Sequence, residues 1–230
     1  MATSGTYAFN PSLGEMTLYA FNLCGIRNTA LTQEHMESAR MASNMLLGRW
    51  SSQGVNLWCV DLQTINLTAG VSTYSVPANT IVMLDAYMVD STVSSSNVDR
   101  LILPISRTEY ASYPNKTQQG FPTTFWFNRL LSPEVTLWPV PDGTQPQFKY
   151  YRVRQIQDSE FINAQQTEIP YYFLEAFTFG LAERLAMMWA PDKIQILKPL
   201  ADESYQIAAS QNIETAQQYI SPTISSYYQA

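Results

Sequence analysis

A chain of 230 residues and 26.0 kDa can bury about 70% of the surface its unfolded form exposes, and its 46% apolar and 13% aromatic content places it among folded chains rather than disordered ones. Only 14% of its residues are charged, against roughly 25% in an ordinary globular domain, so much of its exterior is expected to be covered by neighbours instead of being solvated by ions. A net charge of −6 and a pI near 4.8 exclude a protein that gains affinity by neutralising phosphates, since that needs a clustered basic surplus.

The first predicted element is a short helix over Ser12 to Leu23, where Ser12 and Glu15 have the spacing of a reciprocal capping box. Gly25 then stands where a helix end favours a left-handed residue. A longer helix is predicted from Thr32 to Gly54, with Glu34 and Glu37 in its first turns. In it Ala39, Ser43, Leu46, Leu47 and Trp50 recur at helical spacing, and Met36, Met41 and Met45 widen the apolar stripe enough for contacts on two sides. From Leu57 to Gln157 the pattern becomes β-branched and aromatic, with Pro and Gly punctuation. Strands are predicted at Val60–Leu67, Thr73–Val76, Ile81–Asp90, Leu101–Leu103, Thr124–Asn128, Val135–Trp138 and Gln147–Arg154, spaced as in a small antiparallel sandwich or barrel. Ile81 to Val89 is apolar on both faces and is expected to lie centrally, with an exposed Ser-rich turn from Ser91 to Asn97 after it.

Helical periodicity returns after Thr167. Tyr171 to Trp189, which follows Pro170, is apolar almost all round and so belongs in a domain centre or an oligomer interface. A last helix is expected from Asp192 to Tyr219, bending at Pro199. With helices at both ends, the expected fold is α+β. Residues 1–56 and 165–218 would form a helical bundle, 57–164 an inserted β domain, and 219–230 an extended C-terminal arm.

The catalogue of reactive groups is short. Cys24 and Cys59 show no metal-ligand spacing and read as reduced, buried thiols. With His35 the only histidine, the usual zinc sites, the Ser-His-Asp triad and the Cys-His dyad are nearly all closed. No cofactor, metal site or catalytic residue is assigned. The opening residues lack a basic start followed by an apolar core, and no apolar run approaches the ~20 residues of a membrane span, so neither a signal peptide nor a membrane partner is expected.

Several segments together resemble the head-to-tail adaptors of short-tailed bacteriophages, the connector or tail tubular protein A-like family. They are Leu23-Cys24-Gly25-Ile26; Ala42–Trp50 followed by Ser51–Trp58; Leu67–Pro77; Ile105–Tyr110; Gly120–Thr123; Trp138–Asp142; and Leu185–Asp192 with its Ala-Pro-Asp. Each is short, and their order along most of the chain carries the likeness. The resemblance implies a structural, non-enzymatic virion protein, assembled in the host cytoplasm and placed at the head-tail junction. It implies a ring of twelve copies beneath the portal protein, with a tail nozzle or tail tube protein below and double-stranded DNA passing through without sequence-specific binding. In the family the C-terminal arm reaches the portal, which would make Tyr219, Ile220, Ile224, Tyr227 and Tyr228 the anchors here.

The remaining candidates are weighed on residue chemistry. Met41, Met45, Trp50, Phe177 and Leu181 are expected at the subunit interface. Glu34 and Glu37 would line the DNA channel, repelling phosphate, or would simply complement a solvated helix start. Lys149, Arg152 and Arg154 form the densest basic cluster, for DNA, for an acidic neighbour, or as strand-edge gatekeepers. Trp126, Trp138, Phe125, Phe127, Tyr150 and Tyr151 read as core, or as stacking residues of a rival carbohydrate-binding or glycan-cleaving module with Asp85, Asp99, Glu109 or Glu134 as its carboxylates. A nozzle or tail-tube component is a third reading. The helix–β–helix order argues against it.

Overall fold

The computed structural model describes residues 4–7, 9–54, 57–90, 98–161 and 165–213. The expected turn at Ser91–Asn97 and the C-terminal arm lie outside them; of the last helix expected to reach Tyr219, residues 214–219 lie outside them too, while Asn212 and Ile213 already depart from the helix, which ends at Gln211.

The fold is α+β. Helix α1 spans Leu13–Leu23 and starts as its sequence dictates: the Ser12 hydroxyl accepts from the Glu15 backbone N–H, and the Glu15 carboxylate accepts from the Ser12 N–H at 2.8 Å. Helix α2, Gln33–Gln53, uses a variant in which His35 replaces the usual glutamate. Its Nδ1 accepts from the Thr32 N–H at 3.3 Å. Gly54 ends α2 at φ +76°, in the left-handed region that a side chain disfavours. After the sheet come α4, Leu174–Trp189, entered through a 3₁₀ turn at Tyr171–Phe173, and α5, Ile194–Gln211, which runs through Pro199.

Helices α1, α2 and α5 all pack against α4. The core they share includes Leu13, Phe21, Leu46, Leu47, Trp50, Phe173, Phe177, Leu181 and Leu185. Fully burying a side chain such as Phe177 or Leu181 stabilises by about 2–3 kcal/mol. Helix α2 comes close to α4 at Gly180, where an added Cβ would meet Leu46 Cδ2 at 3.1 Å.

Seven strands form one curled sheet in the order β1-β7-β3-β4-β5-β6-β2. They are β1 Val60–Asn66, β2 Thr73–Ser75, β3 Thr80–Asp90, β4 Val98–Pro104, β5 Thr124–Asn128, β6 Glu134–Trp138 and β7 Gln147–Arg154. Every strand expected from the sequence is present within a few residues. The pairing corrects one expectation: the sheet is mixed, because β4 and β5 run parallel through Leu103↔Thr124 and Pro104↔Phe125. Parallel neighbours need a crossover, and here it contains a helix that the sequence reading did not anticipate, α3 at Arg107–Ser112, capped by Ser106. Strand β3 lies between β7 and β4, as its apolar character requires, with Leu84 and Asp85 turned out at a register shift opposite β7. The two halves of the sheet enclose a second core of Met83, Ala86, Met88, Phe148 and Tyr150 on one side and Val76, Phe125, Val135 and Leu137 on the other. Phe125 and Phe148 meet across it at 6.1 Å.

Candidate functional site

The reactive groups are committed to structure. Cys24 and Cys59 are free and buried, and loss of solvation pushes both thiols up to about 11. His35 stacks on Trp189 at 4.1 Å and meets Phe21 edge-on, so the single imidazole joins α1, the start of α2 and the end of α4. Among the described residues no cluster of His, Cys, Asp and Glu is placed to hold a metal ion, and no helix is long and apolar enough to cross a membrane.

The basic cluster on β7 is spent internally. Arg152 is buried and donates to Asp61 through Nε at 2.7 Å and Nη2 at 3.2 Å, while Nη1 reaches Asn79 and Thr80. Arg154 grips Glu168 with both terminal nitrogens, and Lys149 pairs with Asp99 at 3.3 Å. Strand β7 is interior, between β1 and β3, so these residues are not edge gatekeepers, and the pairing of all three weighs against a DNA-contacting patch. Hydrogen bonds from Arg152 and Arg154 hold the Asp61 and Glu168 carboxyls below their ordinary values. Glu168 also accepts from the Gln157 N–H through its carboxylate and from Trp58 Nε1 through its backbone carbonyl. The end of β7, the approach to β1 and the approach to α4 therefore meet at one acidic residue.

The aromatic residues divide. Phe125 and Tyr150 are core, and Phe127 packs against it. Helix α3 lays Tyr110 on Trp126 at 5.5 Å and its C-cap residue Tyr113 on Trp138 at 4.0 Å, and Trp138 Nε1 donates to the Asn115 carbonyl. One face of each Trp is therefore covered from within the chain. Tyr151 is partly exposed against Tyr87. The candidate carboxylates are scattered: Glu109 on α3, Glu134 at the start of β6, Asp85 on β3, and Asp99 on β4 opposite Val89. Four residues of strand rise separate position 89 from Asp85, about 13 Å. A glycosidase pair sits at roughly 5–9.5 Å.

Of the five residues expected at a subunit interface, Trp50, Phe177 and Leu181 are 4%, 0% and 0% exposed inside the chain's own helical core and present no surface to a second copy. Met41 and Met45 are 53% and 59% exposed on α2. Glu34 and Glu37 are exposed at its start, where Gln33 donates to Glu37. The anchors Tyr219, Ile220, Ile224, Tyr227 and Tyr228 lie outside the described residues.

Two uncovered apolar features had no distinct sequence signal. The outward face of the sheet carries Leu62 opposite Tyr151 and Leu101 opposite Tyr87, with Leu103 beside them. Strand alternation marks such residues as sharing a face, without saying whether the second face is covered. The other is a groove of about 670 Å³ between α1, α4 and the end of α5, with Met16 and Leu174 in its floor and Tyr19, Tyr171 and Ile207 on its rim.

An α+β chain with the basic cluster of β7 paired internally and apolar side chains exposed on α2, on the sheet and along the groove fits the class of structural assembly proteins. Comparison with known families places it within that class. The family model of the SU10 adaptor protein matches residues 32–223, and the chain belongs to this family of phage head-to-tail adaptors, structural proteins of the virion that associate with portal and tail proteins. No curated protein matches the chain.

Proposed function

We propose that the chain forms a ring beneath the portal protein, of twelve copies as in the adaptors it resembles, joining the DNA-filled head to the tail nozzle and forming part of the channel through which double-stranded DNA leaves. The carrying observation is the outer surface: Met41 and Met45 on α2, and Leu62, Leu101 and Leu103 on the sheet, stand exposed on a chain with only 14% charged residues. Such surface favours association with neighbours over life as a free monomer. In this reading Met41 and Met45 meet the adjacent copy. Glu34 and Glu37 face the channel, where an acidic wall lets DNA slide instead of holding it by counterion-releasing contacts. Assembly takes place in the host cytoplasm. The C-terminal arm docks on the portal through Ile220, Ile224, Tyr227 and Tyr228, since tyrosines and aliphatic side chains make good interface anchors.

The test is a pull-down with purified portal. The chain lacking Ser221 to Ala230 is expected to keep the melting temperature of the full chain and to lose portal binding at least tenfold. Unchanged portal affinity would reject the arm's role. A particle reconstruction with no ring of this chain at the head-tail junction would reject the proposal as a whole.

A further inference from the structure

The groove between α1, α4 and α5 has an unusual relation to the rest of the chain. Helix α5 ends at Gln211, which is itself a lining residue. Asn212 is tied there as well, its Oδ1 accepting from the Tyr172 hydroxyl at 3.0 Å, and Tyr172 also lines the groove. Residues 214–230 therefore begin at the groove's edge. Helix α1, which forms one wall, is about 16 Å long at ~1.5 Å per residue. The seven residues from Glu214 to Ile220 span up to about 23 Å when extended, so the segment reaches across.

The chemistry narrows the occupant. The rim residues Tyr19, Tyr171 and Ile207 are more than half exposed, and the floor is apolar. Among the described residues the groove is lined by two acidic side chains, Glu15 and Glu175, and by no Lys or Arg. Glu15 is held anionic by its hydrogen bonds from Ser12. An acidic occupant is disfavoured there. From Thr215 onward the sequence contains no Asp, Glu, Lys, Arg or His, while it supplies Ile220, Ile224, Tyr227 and Tyr228. The groove's volume lies in the range of small-molecule sites, room for a few of these side chains rather than for the whole segment.

We infer that in the free protein residues 214–230 fold back and seat their isoleucine and tyrosine side chains in the groove of the same chain. The segment's attachment at the rim gives it an effective concentration in the millimolar range, which favours the intramolecular contact over any partner in dilute solution. This goes beyond the portal-docking reading, and its test involves no portal, so the two stand or fall separately.

The test uses the full chain and two introduced cysteines. Tyr19→Cys is combined in turn with Ile220→Cys, Ile224→Cys or Tyr227→Cys, and disulfide closure under mild oxidation at low protein concentration is followed by mass spectrometry. Native Cys24 and Cys59 are buried with raised pKa and stay out of the exchange. At least one pair is expected to close within a single chain ten times faster than the same segment cysteine paired with Leu131→Cys, on the β5–β6 turn. Adding Ile207→Glu or, separately, Tyr171→Glu, both exposed positions, is expected to slow closure at least tenfold. Closure no faster than the Leu131→Cys reference, or unchanged by both rim substitutions, overturns the inference. Disulfides formed between chains overturn it too, and assign the groove to the segment of a second copy.

Discussion

Gly180 stands in the middle of α4, where glycine ordinarily costs about 1 kcal/mol relative to alanine. Its position is explained by what faces it, the Leu46 side chain of α2 at 3.1 Å from where a Cβ would sit. Two effects oppose each other in Gly180→Ala: the helix propensity gained and the few tenths of an ångström that Leu46 must yield. They are expected to cancel to within about 1 kcal/mol. Gly180→Leu has no such room and is expected to destabilise by about 2–3 kcal/mol, measured by urea unfolding. His35 shows the same residue-scale economy. One ring caps α2, stacks on Trp189 and touches Phe21.

At the scale of elements, the link between sheet and helices is electrostatic as well as apolar. Asp61 and Glu168 titrate below their ordinary values of 3.8 and 4.5 because Arg152 and Arg154 donate to their ionised forms. A carboxyl depressed in the folded state stabilises fully above its unfolded pKa, and that contribution is lost as pH falls through the folded value. The melting temperature is therefore expected to drop as pH falls below about 4.5. Glu168→Gln should cost about 1–2 kcal/mol at neutral pH, discounted for partial exposure. Its melting temperature should converge with that of the unsubstituted chain as falling pH protonates Glu168, because the ion pair is then absent from both; a constant difference at every pH would contradict this assignment. The elements themselves were readable where their signals are local: the Ser12–Glu15 box, the glycine ends at Gly25 and Gly54, and seven strand segments bounded by Pro and Gly. Helix α3 was missed because six residues show no period. The parallel β4–β5 pair was missed because register between distant strands leaves no mark in either one. The β7 cations were legible as a cluster, yet the partners of Arg152 at Asp61, Asn79 and Thr80 lie more than seventy residues away. Trp50, Phe177 and Leu181 belong to apolar stripes, and a stripe specifies burial without naming what does the burying.

At the scale of the whole molecule, the scarcity of charge and the open apolar surfaces belong to one design for assembly. Met41 and Met45 contribute little to the isolated fold, so Met41→Glu with Met45→Glu is expected to change its stability by no more than about 1 kcal/mol. The same pair is expected to reduce ring formation on purified portal at least tenfold, read by sedimentation. Intact rings from the doubly substituted chain would move the interface elsewhere, the outward sheet face with Leu62, Leu101 and Leu103 being the next place to substitute.

The salt link between Arg154 and Glu168 has a mechanical corollary. The chain enters the sheet along β1 and leaves it along β7, two strands bonded side by side over seven residue pairs, and Glu168 fastens that doorway to the approach to α4. Among the described residues, a tug on the sheet reaches the helices through this paired seam and arrives at the foot of α4, against which α1, α2 and α5 rest. Load taken up by the sheet would thus be shared among those helices at once rather than dissipated in a slack tether.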